Sequence, residues 1–291
     1  MIVTQLLGGL GNQLFQYAVA RRLAIEYNSP FKLDISAFEH YPLRRYALDM
    51  FNILEEFVSA LEISRLKPIF YPSRRSLFLI RKVQNLRYRK TWIRERYPYK
   101  FDDALFQNQR DFYLEGYWQN ENYFKPIEDI IRREFTLKNT PDAYNAELIE
   151  RIQKTDSVSV HIRRGDYATN SQTNAHHGLL PLSYYHSAFS RIIEFARSPN
   201  FFIFTDDPLW VQENLKFDDP MTFVEGNQTR PHEDLRLMSF CKHHIIANSS
   251  FSWWGAWLST NPGKMVIAPK RWLKNSNIDT KDATPSSWER L

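Results

Sequence analysis

The sequence has a single cysteine, Cys241, in 291 residues. One cysteine excludes an intrachain disulfide and any metal site with several cysteine ligands, which is typical of proteins from a reducing compartment. The sequence also lacks an apolar run of the roughly 20 residues that a membrane-spanning helix requires, and residues 1–7 lack the features of a signal peptide. These absences predict a cytoplasmic protein, either free or peripheral at the inner face of a membrane.

Acidic residues are nearly absent from residues 65–100, where Glu95 is the one acid. The same stretch holds these basic residues: Arg65, Lys67, Arg74, Arg75, Arg81, Lys82, Arg87, Arg89, Lys90, Arg94, Arg96 and Lys100. Interleaved aromatics make the pattern typical of nucleic-acid binding, but equally of contact with an anionic membrane or of a solvated helical face over an aromatic core. We expect peripheral membrane contact and no nucleic-acid partner.

Length and composition point to two domains. At about 150 residues per domain the chain accommodates two, and a hydrophobic content of 43% supplies their cores. The polar segment 138–142 is the expected linker. We therefore place an N-terminal domain at 1–140 and a C-terminal domain, ending in a polar tail, at 141–291.

Strands and helices alternate along the chain. Strands are predicted at 2–7, 31–35, 46–51, 158–162, 201–204, 221–224, 244–247 and 265–268. Residues 112–119 alternate briefly and then turn polar, which is consistent with a strand that leads into a loop. Helices are predicted after the first strand and at 122–135, 144–154, 182–196, 210–214, 232–241 and 251–258, and residues 54–100 read as helical and irregular. This alternation predicts parallel sheets with helices on their faces.

The strand at 158–162 is followed by Arg163, Arg164 and Asp166. Ligands of open α/β sheets bind beyond the carboxyl ends of strands, and a guanidinium group matches phosphate oxygens. The stretch therefore indicates a site for an anionic ligand. The alternative is an ordinary strand end with solvated charges.

Two later strands also end in polar residues, one in Asp206 and Asp207 and the other in a serine-rich turn. Ser249, Ser250 and Ser252 can offer donors to a phosphate at a helix start, or only cap the helix. Adjacent side chains on a strand point to opposite faces, so the paired aspartates suit one metal ion poorly. We expect no catalytic metal, no other cofactor and no thiol nucleophile.

A glycine loop links the first strand to a helix. Such a loop lets backbone N–H groups approach an anion, which makes Gly9 and Gly11 candidate donor-binding residues. The loop lacks the lysine of a nucleoside triphosphatase loop and the spacing of the dinucleotide motif. Asn12 and Gln13 follow, and their amides can orient hydroxyl groups; the alternative is that Asn12 caps the helix.

Three motifs together resemble a known family. They are GGLGNQLFQYA at 8–18, HIRRGDY at 161–167 and IANSSFSWWGAW at 246–257. In this order they are similar to the motifs of the bacterial α-1,2-fucosyltransferases of glycosyltransferase family 11. The resemblance extends to about Pro269, and residues 55–110 carry no matching motif.

The resemblance implies a GT-B fold, with two Rossmann-like domains facing a cleft and the donor on the C-terminal one. It implies inverting transfer of L-fucose from GDP-β-L-fucose to the 2-hydroxyl of a terminal β-galactoside, without a required metal, in surface-glycan or O-antigen synthesis. The partners would then be GDP-fucose and a galactose-terminated or lipid-linked glycan.

The resemblance also assigns roles to residues. It places Arg163 on the β-phosphate, His161 beside the nucleoside and Asp234 on guanine. It places Ser250, Phe251 and Ser252 on the pyrophosphate, where Ser249 is a further candidate donor-binding residue, and it places Asn12 near the sugar and the acceptor hydroxyl.

These roles agree with the chemistry of the residues. Breaking the fucosyl bond leaves negative charge on GDP, which Arg163 and the helix start at 250–253 can stabilise. An ionised Asp234 suits the two N–H donors on the edge of guanine. The general base stays open, because Asp166 can serve the donor instead and Asn12 is not a strong base.

Two rival functions also stay open. The first is a GT-B transferase that uses another nucleotide sugar. The second is a non-catalytic protein that binds glycans or nucleic acid through the basic stretch.

Overall fold

The computed structural model describes residues 1–40, 44–68, 91–107, 111–217, 219–274 and 277–291. It divides into two compact units, 1–136 and 137–291. No helix in these described ranges is long and apolar enough to cross a membrane.

The N-terminal unit has a four-stranded parallel sheet in the order β2-β1-β4-β3. Its elements are β1 (Ile2–Gln5), α1 (Leu10–Glu26), β2 (Phe31–Asp34), α2 (Ala60–Leu66), β3 (Trp92–Arg94), β4 (Phe112–Glu115) and α3 (Glu128–Glu134). Short 3-10 helices lie at Ser36–His40, Asp103–Gln107, Glu121–Tyr123 and Lys125–Ile127.

Helix α1 is buried on nearly all sides, from Leu10 to Ala24. Its sequence is apolar around most of its circumference, which is typical of a core helix and not of an amphipathic surface helix. The helix ends at Glu26, and Asn28 then adopts a positive φ of 45° that turns the chain towards β2. Helix α2 begins differently, with a capping box between Ser59 and Glu62.

The C-terminal unit has a six-stranded parallel sheet in the order β10-β9-β8-β5-β6-β7. Its first elements are α4 (Ala143–Lys154), β5 (Asp156–Ile162), α5 (Gly165–Thr169), α6 (Ser171–His177), α7 (Leu182–Phe195), β6 (Pro199–Thr205) and α8 (Pro208–Asn214). The remaining elements are β7 (Met221–Phe223), α9 (Pro231–Phe240), β8 (His243–Ile245), α10 (Ser250–Leu258), β9 (Val266–Ala268) and β10 (Glu289–Arg290).

The alternating strand β5 separates two cores. Val158, Val160 and Ile162 pack with residues of α7 and α8 in one cluster. A second cluster joins α4 and α9 to Phe202 and Phe204 of β6. Helices therefore cover both faces of the sheet, and the prediction of α/β units with parallel sheets is confirmed.

Several local predictions are wrong. Residues 46–50 form no strand, because the side chain of Gln13 takes two of the backbone groups that a neighbouring strand would bind, the carbonyl of Arg45 and the N–H of Ala47. Of the described residues within 54–100, only 60–66 are helical, and 92–94 form the unpredicted strand β3. Most of the basic stretch, 69–90, lies outside the described residues.

The segment after β9 is also more ordered than the predicted polar tail. Trp272, Leu273 and Trp288 are buried, and β10 pairs in parallel with β9. The ring centroids of Trp288 and Trp253 lie 5.4 Å apart, so this segment also packs against the helix α10.

Candidate active site

Three loops follow neighbouring strands at one edge of the C-terminal sheet. Strand β5 lies between β6 and β8, and all three are parallel. Their carboxyl ends therefore meet, which brings together the segments that begin at Arg163, Asp206 and Asn248. The rings of His161 and Phe251, from two of these segments, have centroids 5.6 Å apart.

Arg163 is held between two carboxylates. Its Nη2 pairs with Oδ1 of Asp166, and its Nη1 lies 2.6 Å from Oδ2 of Asp206. Asp206 is itself fixed, because its Oδ1 accepts the backbone N–H groups of Arg164 at 2.8 Å and Gly165 at 3.0 Å. A Cβ on Gly165 would lie 2.5 Å from Asp206 Oδ2, so the close approach requires glycine. The guanidinium is thus oriented from two sides while its side chain stays 22% exposed.

Arg164 has a different environment. Its Nε lies 3.0 Å from Oδ2 of Asp207, and its guanidinium carbon lies 3.4 Å from the ring centroid of Trp210. Asp206 and Asp207 therefore bind different arginines, as their opposite directions along an extended chain predict. Both arginines are ion-paired, and the side chain of Arg163 is the slightly more exposed of the two, at 22% against 17% for Arg164, so Arg163 remains the candidate for an anionic ligand.

His161 is a buried, neutral histidine at the same edge. Burial lowers its pKa to about 4, and the nearby Arg163 acts in the same direction, while Asp206 opposes the shift. Its Nδ1 is buried and has no hydrogen-bond partner among the described residues. A buried polar atom without a partner costs free energy, so this nitrogen is a candidate for binding a ligand.

The serine-rich turn forms the N-terminus of α10. The Oγ of Ser249 accepts the backbone N–H of Phe251 at 3.3 Å, and Ser252 Oγ donates to the carbonyl of Ser249 at 3.3 Å. The hydroxyls of Ser249 and Ser252 are thus used within the turn, as the capping alternative expects. Ser250 and Phe251 are half-buried at the helix start, and pyrophosphate contacts from this turn stay a prediction.

Asn248 is a residue that sequence reasoning missed as a separate contributor. Its side-chain amide donates to the carbonyls of His177 at 3.0 Å, Gly178 at 3.3 Å and Trp272 at 3.3 Å. The backbone carbonyl of Asn248 accepts a hydrogen bond from the hydroxyl of Tyr167 at 3.3 Å. The side-chain amide therefore ties the end of α6 to the strand end, and the backbone carbonyl ties α5 to it. The place of Asn248 just before the serine-rich turn was the available signal.

The segment after Tyr167 is helical, and His176 and His177 end α6. The rings of Tyr167 and His177 stack at a centroid distance of 4.8 Å and an angle of 8°. Burial lowers the pKa of His177 to about 4, and His176 and Arg163 add to this effect, while Asp166 opposes it. His177 is therefore a neutral packing partner beside Arg163.

Asp234 lies in the first turn of α9. Burial raises the pKa of its carboxyl to about 6, and Glu233 adds to this effect, while Asn227 and Arg230 oppose it. Its Oδ1 accepts the amide of Asn227 at 3.0 Å. Asp234 is thus a carboxylate at pH 7 with one oxygen held in place, as recognition of two adjacent N–H donors requires.

In the N-terminal unit, side chains of α1 fix the glycine turn. Gly8 has a φ of 83°, and a Cβ there would lie 2.5 Å from Nδ2 of Asn12. Gln13 Nε2 donates to the carbonyl of Gly8 at 2.9 Å. Gln16 joins the N–H of Leu7 to the carbonyl of Gly116 at 2.9 and 3.0 Å.

The alternative that Asn12 caps α1 is wrong, because the cap is Gly9 and makes no side-chain capping bond. Gly11 lies inside the helix and is buried. Oδ1 of Asn12 instead accepts Nε2 of Gln119 at 2.7 Å. The loop of Gln119 is fixed in turn by Glu95, which accepts the N–H groups of Tyr117 and Trp118 at 2.8 and 3.0 Å.

The expectation that Cys241 is no nucleophile agrees with its environment. The residue follows α9 and is fully buried, and burial raises the pKa of its thiol. A buried neutral thiol is unreactive. The tryptophans of α10, Trp253, Trp254 and Trp257, are likewise core residues.

Comparison with known proteins identifies relatives along the whole chain. The chain is 36% identical over 301 residues to an α-1,2-colitosyltransferase of Escherichia coli, covering 100% of this chain and 99% of the relative. It is 31% identical over 304 residues to the O-antigen biosynthesis glycosyltransferase WbnK of Escherichia coli, covering 98% of each.

The fold is similar to that of solved GT-B-like fucosyltransferases. A mutant of Arabidopsis thaliana FUT1 in complex with GDP superposes with a TM-score of 0.53 at 10% identity, covering 99% of this chain and 74% of that chain. The predicted fold class is therefore confirmed. The family model described as "Glycosyl transferase family 11" matches residues 1–291. The chain therefore belongs to glycosyl transferase family 11.

Proposed function

We propose that this glycosyltransferase moves L-fucose from GDP-β-L-fucose to the 2-hydroxyl of a terminal β-galactoside, with inversion, during O-antigen synthesis. The observation that carries the proposal is the orientation of Arg163 by Asp166 and Asp206 at the strand edge that also holds the start of α10. That arrangement presents a fixed cation and a helix N-terminus to one anionic group.

The leaving group is the diphosphate of GDP. As the bond to the sugar breaks, negative charge grows on the β-phosphate, and a guanidinium that is already oriented stabilises it without reorganisation. The N-terminus of α10, at Ser250 and Phe251, adds the partial positive charge of its N–H groups. Neutral His161 supplies a hydrogen bond beside the nucleoside and adds no charge.

Guanine is recognised by Asp234. An ionised carboxylate is an acceptor only, and it pairs with the ring N–H and the 2-amino group of guanine. Because the pKa of Asp234 is raised to about 6, we expect GDP binding to weaken as the pH falls below about 6.

The acceptor hydroxyl is oriented by Asn12. Its contact with Gln119 fixes the amide plane, and Gly9, at the N-cap of α1, allows the backbone to approach the donor sugar, whereas Gly11 is buried within the helix. A cation-like transition state needs little help from a strong base, which is consistent with an amide at this position. Asp166 acts on the donor side through Arg163.

A second candidate donor is GDP-colitose. The similarity of 36% over the whole chain to an α-1,2-colitosyltransferase favours it. Colitose is L-fucose without the 3-hydroxyl, so both donors present the same diphosphate and base. Discrimination between them depends on whether the enzyme offers a hydrogen-bond partner to the 3-hydroxyl, since a site that pairs with a hydroxyl rejects the analogue that lacks it by a large factor.

A donor panel tests the proposal. GDP release and NMR of the product would be measured with GDP-β-L-fucose, GDP-colitose and a UDP-sugar, each with a β-galactoside acceptor. We expect an α-1,2-linked product from GDP-β-L-fucose. Turnover from GDP-colitose alone would show that the transferred sugar is colitose and not fucose. A preference for the UDP-sugar would overturn the assignment of guanine as the donor nucleobase.

The same assay in excess EDTA tests independence from metal ions. We expect unchanged turnover, because Arg163 and α10 supply the positive charge that a metal supplies in other transferases. Loss of activity that manganese restores would contradict this expectation.

We further propose peripheral contact with an anionic membrane through the basic stretch 65–100, most of which lies outside the described residues. The support is the excess of bases over the single acid Glu95. Salt-sensitive co-sedimentation with anionic vesicles is the expected result, and absence of binding at low salt would contradict it.

A further inference from the structure

Two buried asparagines form a reciprocal amide pair beside Asp234. Asn145, in the first turn of α4, and Asn227, between β7 and α9, are 0% and 3% exposed. Asn227 Nδ2 donates to Asn145 Oδ1 at 2.9 Å, and Asn145 Nδ2 donates to Asn227 Oδ1 at 3.3 Å. Burying primary amides costs free energy unless they are fully hydrogen-bonded. An apolar pair would fill the same space without this requirement, so we expect the two asparagines to have a specific role.

The side-chain amide of Asn227 contacts Asp234, the residue that we propose binds guanine. Its Nδ2 also donates to Oδ1 of Asp234 at 3.0 Å, so both of its protons are used. Its Oδ1 accepts from Nη2 of Arg230 at 3.1 Å as well as from Asn145. Because an ionised carboxylate only accepts and a guanidinium only donates, these two neighbours fix which end of the amide faces Asp234.

The other end of the network is anchored at the start of α4. Asp142 Oδ1 accepts the backbone N–H and the side-chain amide of Asn145, both at 2.9 Å. Its Oδ2 lies 2.5 Å from Nη1 of Arg230. Asn227 is therefore braced by α4 on one side and by Arg230 on the other, which restricts its movement relative to Asp234.

We propose that Asn227, braced by Asn145, is a positioning residue that fixes the plane of the Asp234 carboxylate and so sets the preference for guanine over bases without a 2-amino group. The inference rests on the proposed contact between Asp234 and guanine. A carboxylate that rotates freely binds a base with one N–H donor about as well as a base with two. A carboxylate whose plane is fixed gains affinity from the second N–H donor, which is the 2-amino group of guanine.

Binding of GDP and of inosine diphosphate, which lacks the 2-amino group, tests the inference. Dissociation constants of both would be measured by calorimetry for the wild type, Asp234→Asn, Asn227→Ala and Asn227→Asp. The control is Asn214→Ala, which removes an exposed asparagine whose amide donates to the carbonyl of Trp210. The ratio of the two constants within each variant does not depend on the fraction of folded protein.

We expect the wild type and Asn214→Ala to prefer GDP, and both Asn227 variants to lose about tenfold of that preference, mainly through weaker GDP binding. Asn227→Asp keeps the shape of the side chain, so it serves as the test if Asn227→Ala does not fold.

A second readout is the pH midpoint of GDP binding. The hydrogen bond from Asn227 lowers the pKa of Asp234, Arg230 acts in the same direction, and Glu233 raises it. Removing the amide should therefore move the midpoint to higher pH.

Three outcomes would overturn the inference. If Asp234→Asn loses the preference and the Asn227 variants keep it with an unchanged midpoint, Asp234 reads guanine without help from Asn227. Equal weakening of GDP and inosine diphosphate would show that Asn227 only supports the local fold. A wild type without any preference would remove the contact between Asp234 and guanine itself, and the inference with it.

Discussion

At the scale of single residues, burial sets the charge states of His161 and Asp234 near the C-terminal edge of the sheet. Asp206 stays anchored by two backbone N–H groups, His161 is neutral at pH 7, and Asp234 ionises only near pH 6. This edge therefore holds a cation oriented by two carboxylates, a neutral imidazole and the separate carboxylate of Asp234. These are the groups to which we assign the diphosphate and the purine in the proposed reaction.

The role of Asp166 is testable with Asp166→Asn, which keeps the shape and removes the charge. In our account Asp166 serves Arg163, so we expect GDP affinity to rise about three- to tenfold, because one negative charge leaves the neighbourhood of the diphosphate, an effect on the order of 1 kcal/mol for a partly exposed group. We expect kcat to stay within about tenfold. Calorimetry with GDP and steady-state turnover measure the two quantities.

A general base would behave differently. Its removal lowers kcat by about 10²- to 10⁴-fold and leaves GDP affinity nearly unchanged. That result with Asp166→Asn would show that Asp166 acts as the general base on the acceptor hydroxyl and not on the donor through Arg163.

The raised pKa of Asp234 predicts that this carboxylate lowers the free energy of unfolding at neutral pH, although its charged form is the one that we propose binds guanine. The pKa of this carboxyl is raised from 3.8 to about 6 because burial disfavours its charged form. The folded state thus binds a proton more tightly than the unfolded chain, so the stability that this group contributes is present below pH 3.8 and is lost as the pH rises through about 6. At pH 7.5 the loss amounts to as much as about 3 kcal/mol.

Asp234→Asn should therefore raise the free energy of unfolding by about 1–3 kcal/mol at pH 7.5 and leave it nearly unchanged at pH 4. Urea denaturation at the two pH values measures the difference. A variant that is less stable than the wild type at pH 7.5 would contradict the assigned cause of the shift.

At the scale of elements, the glycine turn before α1 sets the position of Asn12. Gly8→Ala forces a side chain into a positive φ and brings its Cβ within 2.5 Å of Asn12 Nδ2. Gly226 has a similar φ of 81° with nothing within 4 Å of the added Cβ, so Gly226→Ala is a control for backbone strain without a clash. Because Gly226 adjoins Asn227, turnover of the two variants is compared at saturating donor, where weaker donor binding does not count. We expect both variants to lose about 1–2 kcal/mol of stability.

Only Gly8→Ala should also lower kcat at saturating GDP-β-L-fucose, because it displaces Asn12 from Gln119. We expect a loss of at least tenfold, against less than threefold for Gly226→Ala. Thermal unfolding and turnover of both variants give the comparison. Equal kcat values in the two variants would show that the position of Asn12 does not matter to the reaction.

Element identity was predictable where local pattern and burial agree. Strand β5 shows the alternation of its apolar residues, and α4, α7 and α9 show helical spacing. Strand β3 was not predictable, since it has three residues and no alternation beyond Trp92 and Ile93. The expected strand at 46–51 failed because buried Gln13, which is distant in sequence, binds its backbone.

At the scale of the whole molecule, two parallel α/β units were predictable from the alternation of elements, and the family was predictable from three motifs. The pairing of side chains was not. The strand-end pattern alone treats Arg163 and Arg164 alike, and the family resemblance selected Arg163; only the fold shows that they pair with Asp206 and Asp207 respectively. The buried network of Asn145 and Asn227 spans 82 positions in the chain, and no local pattern reveals it.

The most direct test of the account measures how much the phosphates of GDP contribute to binding at Arg163. Calorimetry would compare GDP with guanosine, which has the same base and no phosphates, for the wild type, Arg163→Ala and Arg164→Ala. We predict that Arg163→Ala reduces the affinity advantage of GDP over guanosine by at least tenfold, about 1.5–3 kcal/mol for a hydrogen bond to a charged group, and that Arg164→Ala changes it little. An unchanged advantage in Arg163→Ala, or an equal loss in Arg164→Ala, would contradict the claim that Arg163 holds the diphosphate.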